Sequence, residues 1–524
     1  MPAVSILRGP MNHVQALEFY PFDADQIEDT LGLTPPPFVD VDEALKQLRY
    51  ILRFAGSIGC KSAVVECHYI DRDHIEDHSV FYSKDLHPHP NWCRRIHFFK
   101  IDAEGVKQKL TDLLRIGSVN GQREHQVACR TFSEDAYLGF SVVKPLAGSP
   151  IGRTVLRPLE GDSDGSEFIR SYECTRLYRA HLAGNELTVR GLAFQQQDLG
   201  VSACATTAIW ASMHKARDFE EIGSTTPSQI TALASRYALP FGRAMPSEGL
   251  SIDQMCQAIQ AIGVSPNIYR TTDFGVCRAY LHTACRSGIA SILILRDEVQ
   301  GWHAVTVAGM KTRSTHQHVA VTPELPDTGE LASDLVALYV HDDRLGPYLR
   351  ADLLDRPTGP TLTIERPGMS PEHWSLRHII APIHGKVRMS FADLGRIAQE
   401  IVSTAHAWRE HYSSGANVPP DPTITVGNWI VRATRYARDL LEVVSPGCIE
   451  RLYSTVSLPR YLAIVHLESP YFGAVNVLID TTGTLRSARC LAVLPFDKTL
   501  RETAISLSRY LSEDFNCPLI MDQG

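Results

Sequence analysis

The chain has 524 residues, of which 44% are hydrophobic and 21% are charged. This composition is typical of a folded globular protein and excludes a largely disordered chain. With 51 basic and 59 acidic residues the formal net charge is −8, so the chain as a whole does not attract nucleic acid. We therefore expect no nucleic-acid partner, and a chain of this length predicts about three domains.

The absence of certain sequence features predicts the cellular compartment. The sequence has no run of about 18 uncharged apolar residues, which argues against a transmembrane helix, and its first residues do not resemble a secretory signal. The twelve cysteines are scattered, with no C-x-x-C pair and no compact disulfide framework. We expect a cytoplasmic protein without membrane contact, because a reducing compartment keeps such thiols free.

The first region, residues 1–185, predicts a mixed α/β unit. Apolar residues at helical spacing predict helices in VDEALKQLRYILRFAG and EGVKQKLTDLLRIG, whereas SAVVECHYI and AYLGFSVVKPL are typical of strands. A stretch rich in Pro, Gly and Ser then leads toward the second region. We expect this unit, like the C-terminal one, to recognise the substrate or a protein partner.

The second region, residues 186–355, places helices before strands. ACATTAIWASMHKA and SIDQMCQAIQAIG predict helices, the latter with Ser251 as N-cap, and ASILILR, HAVTVAGM and LVALYVH predict strands. The polar stretch KTRSTHQHVAVTPELPDTGE predicts a long loop before the last of these strands. This order favours an α+β domain with an antiparallel sheet over a doubly wound parallel sheet.

The third region, residues 366–524, follows a Pro- and Gly-rich boundary, DRPTGPTLTIERPGMSPEH. SFADLGRIAQEIVSTAHAW and NWIVRATRYARDLLEVV predict helices there, and RYLAIVHL and GAVNVLID predict strands. The third region is therefore expected to be a second mixed α/β unit.

A single cysteine, Cys204, lies where a polar loop runs into an apolar helix, in QQQDLGVSACATTAIWASM. A thiol at the start of a helix is close to the positive end of the helix dipole and to unpaired backbone N–H groups. Both favour the thiolate, which is the reactive form. The pattern indicates a nucleophile, and the alternative is an ordinary buried thiol at a helix start.

A thiol nucleophile also needs a base and a group that orients the base. GWHAVTVAGM places His303 near the start of an apolar strand, and LVALYVHDDRLGPY ends the following strand with Asp342 and Asp343. Adjacent antiparallel strands can bring one of these carboxylates beside His303. The carboxylate would then fix the tautomer of the imidazole and support the imidazolium.

The order Gln, Cys, His, Asp, with Cys opening a helix and His opening a strand, resembles the papain-like cysteine peptidases, nearest to their bacteriocin-leader peptidase-like branch. QDLGVSAC, GWHAV and YVHDDRLGPY carry the resemblance over residues 191–355. It implies a nucleophile helix packed on an antiparallel sheet. It also implies thiol-dependent cleavage of a peptide or isopeptide bond in a protein or peptide substrate, with no metal or organic cofactor.

Two positions depart from the pattern of that family. The leader-peptidase branch has a DCG-like motif at the nucleophile, which this sequence lacks, so the match is nearer the broader papain pattern. The resemblance also implies a Gln that binds the oxyanion beside the backbone N–H of Cys204. Gln197 and Gln196 both lie farther from Cys204 than that family's spacing, so both stay candidates, with Gln197 the nearer.

Strand alternation favours Asp342 over Asp343 as the group that orients His303. Successive side chains of a strand point to opposite faces, so Asp342 shares the apolar face of Leu338 and Val340. We expect this face to pack against the helix of the nucleophile, and His303 to lie on a similarly apolar face. The alternative, Asp343, stays open.

A run rich in Cys and His in the first region is the other place where the sequence suggests ligands. None of its spacings fits a zinc finger or an H-E-x-x-H motif, so we expect a structural role and no metal. The residues concerned are Cys67, His68, His74, His78, His87, His89, Cys93 and His97.

Taken together, the sequence predicts a thiol-dependent hydrolase with Cys204, His303, Asp342 and Gln197 as its catalytic groups. The same groups would support another acyl transfer, such as deamidation or transglutamination. A different class of protein, a non-catalytic binding protein on a decayed peptidase fold, is also compatible with the fold prediction.

Overall fold

The structure is a computed structural model that describes most of the chain. It has α+β architecture, with helices packed on antiparallel sheets. None of the helices in the described part is long and apolar enough to cross a membrane. The described residues are 16–31, 41–84, 89–146, 148–159, 167–198, 203–218, 222–236, 249–313, 334–366, 368–413, 424–444, 446–483, 490–496 and 500–517.

The N-terminal unit is an antiparallel sheet with helices on both faces. Its elements are β1 (Leu17–Pro21), α1 (Ala24–Leu31), α2 (Val41–Ser57), β2 (Ser62–Tyr69), α3 (Arg72–Val80), β3 (Cys93–Phe99), α4 (Ala103–Asn120), α5 (Gln122–Ala136), β4 (Tyr137–Val143) and β5 (Ile151–Leu156). The five strands lie in chain order. On β2, Ala63 and Val65 pack in the core of α2, while Val64 packs in the core of α4. Burial on both faces explains why these strands are apolar throughout.

The middle unit contains the candidate site. Its elements are β6 (Phe168–Ser171), β7 (Arg176–Leu182), β8 (Asn185–Gly191), α6 (Cys204–Ala216), α7 (Pro227–Ala234), α8 (Ile252–Ile262), β9 (Ser265–Arg270), α9 (Phe274–Arg286), β10 (Ile292–Asp297), β11 (Gly301–Arg313), β12 (Leu335–Asp342), β13 (Gly346–Arg356), β14 (Gly359–Ile364) and β15 (Glu372–Ile383). Ser251 caps α8 through a capping box with Gln254, as its sequence predicts.

The strands β10 to β15 form a closed antiparallel barrel. Each pairs with the next in the chain, and β15 pairs back to β10. Closure removes the sheet edges, and it leaves one face of every strand inside the barrel. On β11 the inward side chains include Val305 and Val307, whereas Ala304 and Thr306 point outward toward α6.

The barrel extends beyond the boundary that the sequence suggested. The predicted boundary between residues 355 and 366 falls at the β13–β14 hairpin, whose strands are paired along their length. The boundary at residue 185 likewise falls in the β7–β8 hairpin. The Pro and Gly residues that suggested a linker instead form the turn of a hairpin, because turn residues mark hairpins and linkers alike. Most of the predicted long loop, from residue 314, lies outside the described residues.

The C-terminal unit is an antiparallel sheet with helices. Its elements are α10 (Phe391–Ser413), β16 (Thr425–Arg432), α11 (Ala433–Leu440), α12 (Pro446–Thr455), β17 (Tyr461–Ser469), β18 (Gly473–Asp480), β19 (Cys490–Pro495) and α13 (Arg501–Asp514). The helix predicted from Asn428 is wrong in its first half, which is the strand β16 paired with β17. The β-branched Ile430 and Val431 suit a strand, and pairing with β17 prevails over the helical spacing.

The Tyr348 hydroxyl is a buried link between the N-terminal sheet and the barrel. It accepts a hydrogen bond from the Leu192 N–H at 2.8 Å and donates one to the Leu156 carbonyl at 3.0 Å. Leu156 ends β5, whereas Tyr348 lies on β13. The hydroxyl therefore satisfies two backbone groups from different parts of the chain.

We expect Tyr348→Phe to lower the free energy of unfolding by about 1–3 kcal/mol, because a buried backbone donor and acceptor lose their partner. Urea denaturation followed by circular dichroism measures the change. Tyr412→Phe, at a tyrosine that is 47% exposed on α10, serves as the control and should change little. Equal stability of the two variants would contradict the anchoring role of Tyr348.

Candidate active site

The helix α6 begins at Cys204, as predicted. Its N-cap, Ala203, has extended backbone and makes no side-chain capping hydrogen bond, so no side-chain cap occupies the N–H groups of the first turn. From Ala205 to Ala216 the helix is buried, and only the thiol-bearing first residue is half-buried. Cys204 is thus at the positive, accessible end of an otherwise enclosed helix.

His303 lies inside the barrel near the start of β11 and is 4% exposed. Burial alone would lower its pKa, since an imidazolium is costly in an apolar surrounding. The charge and hydrogen bond of Asp342, a hydrogen bond with the Cys204 side chain and the charge of Asp343 outweigh this effect and raise the pKa to about 10. The ring therefore carries a positive charge near neutral pH, in contact with the thiol.

Both aspartates at the end of β12 reach His303, but at different distances. Asp342 Oδ2 lies 3.0 Å from Nε2, whereas Asp343 Oδ1 lies 3.9 Å from it. Burial would raise the pKa of Asp342, but the charge and hydrogen bond of His303 hold it below its usual range. Burial raises the pKa of Asp343 to about 7, with His303 acting against it and Asp342 reinforcing it.

Strand alternation does not decide between the two aspartates, and the helix of the nucleophile does not pack on the face that the sequence predicted. Because β12 ends at Asp342, strand alternation does not reach Asp343. The face shared by Leu338 and Val340 belongs to the interior core. The helix α6 packs on the opposite face of the sheet, where Thr306 Oγ1 donates to the Ala208 carbonyl at 3.0 Å. Cys204 nevertheless meets His303, because the helix begins level with the start of β11.

Arg344, Glu372 and Trp374 surround the ion pair and were not identified from the sequence. The Arg344 backbone N–H donates to Asp342 Oδ1 at 2.9 Å, and its guanidinium lies 3.5 Å from Oδ2 and 2.9 Å from Glu372. Trp374 Nε1 donates to Glu372, and the indole lies 5.4 Å from the His303 ring, centroid to centroid. Arg344 follows the two aspartates directly in the sequence, so its position beside them was the one available signal. Glu372 and Trp374 lie on β15, far from the aspartates in the chain.

The two glutamine candidates have different environments. Gln196 is buried, and its side-chain oxygen accepts the Ile151 N–H at 3.2 Å. That contact ties the Gln196 amide to the N-terminal sheet. Gln197 is half-buried, and the next residue, Asp198, is buried beside Lys144 with 3.6 Å between the charged atoms. Leu199 and the following three residues lie outside the described part of the chain.

The histidines of the Cys/His-rich run make structural contacts. Ring nitrogens of His74 and His78 bond to backbone carbonyls, and His97 bonds to Tyr137 and Glu66. The ring of His68 stacks on Trp92. His87 lies outside the described residues.

Within the described residues, one group of His, Cys, Asp or Glu has the spacing of a metal site. It consists of His303, Asp342 and Asp343, whose donor atoms all lie within 4.8 Å of one another. The candidate active site is therefore also a possible cation site. A comparison with models of known protein families finds no match, and a comparison with curated proteins finds none either.

Limited alkylation should modify Cys204 before the other thiols, because its neighbour is a charged imidazole. Cys256 on α8 is an internal control: it is also half-buried, but burial raises its pKa to about 11. His303→Ala should slow the labelling of Cys204 by at least about tenfold and leave Cys256 unchanged. Mass-spectrometric mapping after a brief iodoacetamide pulse measures both rates, and equal rates at the two cysteines would contradict the assignment.

Proposed function

We propose that the protein is a cysteine peptidase-like hydrolase that cleaves a peptide or isopeptide bond in a protein or peptide substrate. The observation that supports this most is the convergence of Cys204, His303 and Asp342 from three separate segments. A thiol at a helix start contacts a buried imidazole, and a carboxylate holds the other side of that imidazole. This is the arrangement that nucleophilic catalysis by a thiol requires.

In the proposed mechanism Cys204 attacks as a thiolate paired with the His303 imidazolium. The thiolate adds to the substrate carbonyl, and the imidazolium then donates its proton to the leaving amine as the C–N bond breaks. A water molecule next gives its proton to His303 and attacks the thioester, which releases the acid and restores the pair. Asp342 keeps the ring oriented and supports its positive charge throughout.

The negative oxygen that forms during attack needs donors near the start of α6. The backbone N–H groups of the first turn point in that direction, and we propose the Gln197 amide as a side-chain donor. The contacts of the Gln196 amide with the N-terminal sheet support the choice of Gln197. The resemblance to papain-like enzymes also supports Gln197, but the main support is the different environment of the Gln196 amide.

Two other functions use the same geometry. Deamidation or transglutamination proceeds through the same thioester and differs only in the leaving group or the acceptor. A binding protein on a decayed peptidase fold would not need a buried carboxylate held against the imidazole. We propose that the flanking units recognise the partner or substrate.

The experiment that tests the function compares the products of the native protein and of Cys204→Ala in a cell extract. We expect new protein N-termini, detected by N-terminal proteomics, with the native protein only. Gln or Asn residues converted to acids, without new N-termini, would favour deamidation. Absence of any product together with unselective alkylation of Cys204 would favour the binding protein.

Asp342→Asn should lower kcat by one to several orders of magnitude, because a wrongly oriented base is costly in such triads. Asp343→Asn should cause a smaller loss, since its carboxylate is 0.9 Å farther from Nε2, at 3.9 against 3.0 Å. Steady-state kinetics on the identified substrate measure both variants, and circular dichroism checks that they fold. A larger loss at Asp343 would reverse the roles of the two aspartates.

A further inference from the structure

An unpartnered carboxylate lies beside the His303–Asp342 pair at one point of the barrel. Both oxygens of Asp343 are buried without a hydrogen-bond partner among the described residues, and Asp343 is 3% exposed. Nε2 of His303 and Oδ2 of Asp342 face each other at 3.0 Å. Buried polar atoms in proteins almost always have partners, so a carboxylate with none calls for an explanation.

We infer that His303, Asp342 and Asp343 form a binding site for a divalent transition-metal ion, which holds the site in an inactive state. The inactive state rests on the proposed function of Cys204. This inference departs from the expectation, drawn from the sequence, that the protein binds no metal.

The spacing of the donor atoms fits a small ion. Zinc bound by nitrogen and carboxylate oxygen at about 2.0–2.2 Å in tetrahedral geometry has donor atoms roughly 3.3 Å apart. Nε2 lies 3.0 Å from Asp342 Oδ2 and 3.9 Å from Asp343 Oδ1. The first distance is slightly shorter and the second longer than that spacing, and all three donor atoms lie within 4.8 Å of one another, so modest side-chain shifts would bring them to three ligand positions.

The kind of donor selects the kind of ion. One imidazole and two carboxylates suit zinc and its neighbours, whereas magnesium and calcium prefer a shell of oxygen atoms alone. Asp342 is also positioned from outside the site, since its Oδ1 accepts the Arg344 N–H at 2.9 Å and leaves Oδ2 for the ion.

The charge of Arg344 opposes a cation here, because its guanidinium lies 3.5 Å from Asp342 Oδ2. The Glu372 carboxylate at 2.9 Å offsets part of this charge, and the Gln300 amide oxygen at 3.0 Å helps to hold the guanidinium in place. Because the remaining positive charge opposes the ion, we expect binding that a chelator reverses.

A bound ion would interfere with the thiol chemistry in a defined way. It would displace the Nε2 proton of His303 to solvent, bind the lone pair that this frees, and stand between the ring and Asp342. A second positive charge on the imidazole would then be unfavourable beside a divalent cation. Cys204 would lose the charged neighbour that favours its thiolate.

The test uses the full-length protein, freed of metal with EDTA and titrated with Zn²⁺ by calorimetry. We expect one ion per chain in the native protein, and a loss of affinity of at least about tenfold in Asp343→Asn. Cys204→Ser should keep the ion. Mg²⁺ at the same concentrations should give no binding. The assignment of the metal site would be wrong if Asp343→Asn bound zinc as well as the native protein does. It would also be wrong if Cys204→Ser lost zinc while Asp343→Asn kept it.

Labelling of Cys204 in the same samples tests the inactive state. Zn²⁺ should slow the alkylation of Cys204 at least about tenfold in the native protein, relative to the native protein in EDTA. In Asp343→Asn, the rates with and without Zn²⁺ should be the same. Cys256 controls for general effects of the metal. If Cys204 is unreactive even in EDTA, the proposed function fails while the calorimetry still decides the metal site. A reactive Cys204 that zinc does not slow, despite stoichiometric binding, would overturn the inhibitory role.

Discussion

A buried charge must be neutralised by a partner at short distance, and the end of the barrel that holds His303 is arranged around this requirement. His303 is 4% exposed and Asp342 is fully buried, so neither charge can be hydrated. The pair exists because β11 begins and β12 ends at the same end of the barrel, on the inner face. Removing either partner would leave an isolated buried charge, which typically costs 3–5 kcal/mol.

Barrel closure and the packing of α6 together bring the thiol to this pair. The body of the helix lies outside the barrel, held by the outward side chains of β11 such as Thr306. The histidine points inward, so the two can meet only where the helix begins and the strand begins. Burial of the rest of α6 fixes that meeting point. A shift of one helical turn, about 5.4 Å, would separate the thiol from the ring.

The features that could be predicted from the sequence are those set by local patterns. The start of α6, the strand with His303 and the strand ending in Asp342 each follow from short-range periodicity and turn residues. Closure of the barrel could not be predicted, because it depends on β15 pairing with β10 about eighty residues earlier in the chain. The surroundings of Asp342 were missed for the same reason, since Glu372 and Trp374 reach the site only after closure.

Asp342 is nearer to His303 than Asp343 for a reason that differs from the one the sequence suggested. Its apolar face was expected to touch a helix, and that face instead belongs to the core inside the barrel. His303 points to the same interior, so the two side chains share that face, and the role of Asp342 stays a prediction.

Asp343 is the residue that stability alone does not explain. Its carboxylate is buried, makes no hydrogen bond within the described structure, and lies next to another acid. A neutral side chain of the same shape would avoid that cost, and natural sequences depart from such rules mainly at functional sites. The second acid is the farther of the two from His303 Nε2, at 3.9 Å against 3.0 Å for Asp342. In the proposed cation site, the Asp343 carboxylate is the third ligand. Binding of a metal ion would therefore explain why an acid is present at a buried position where it destabilises the fold.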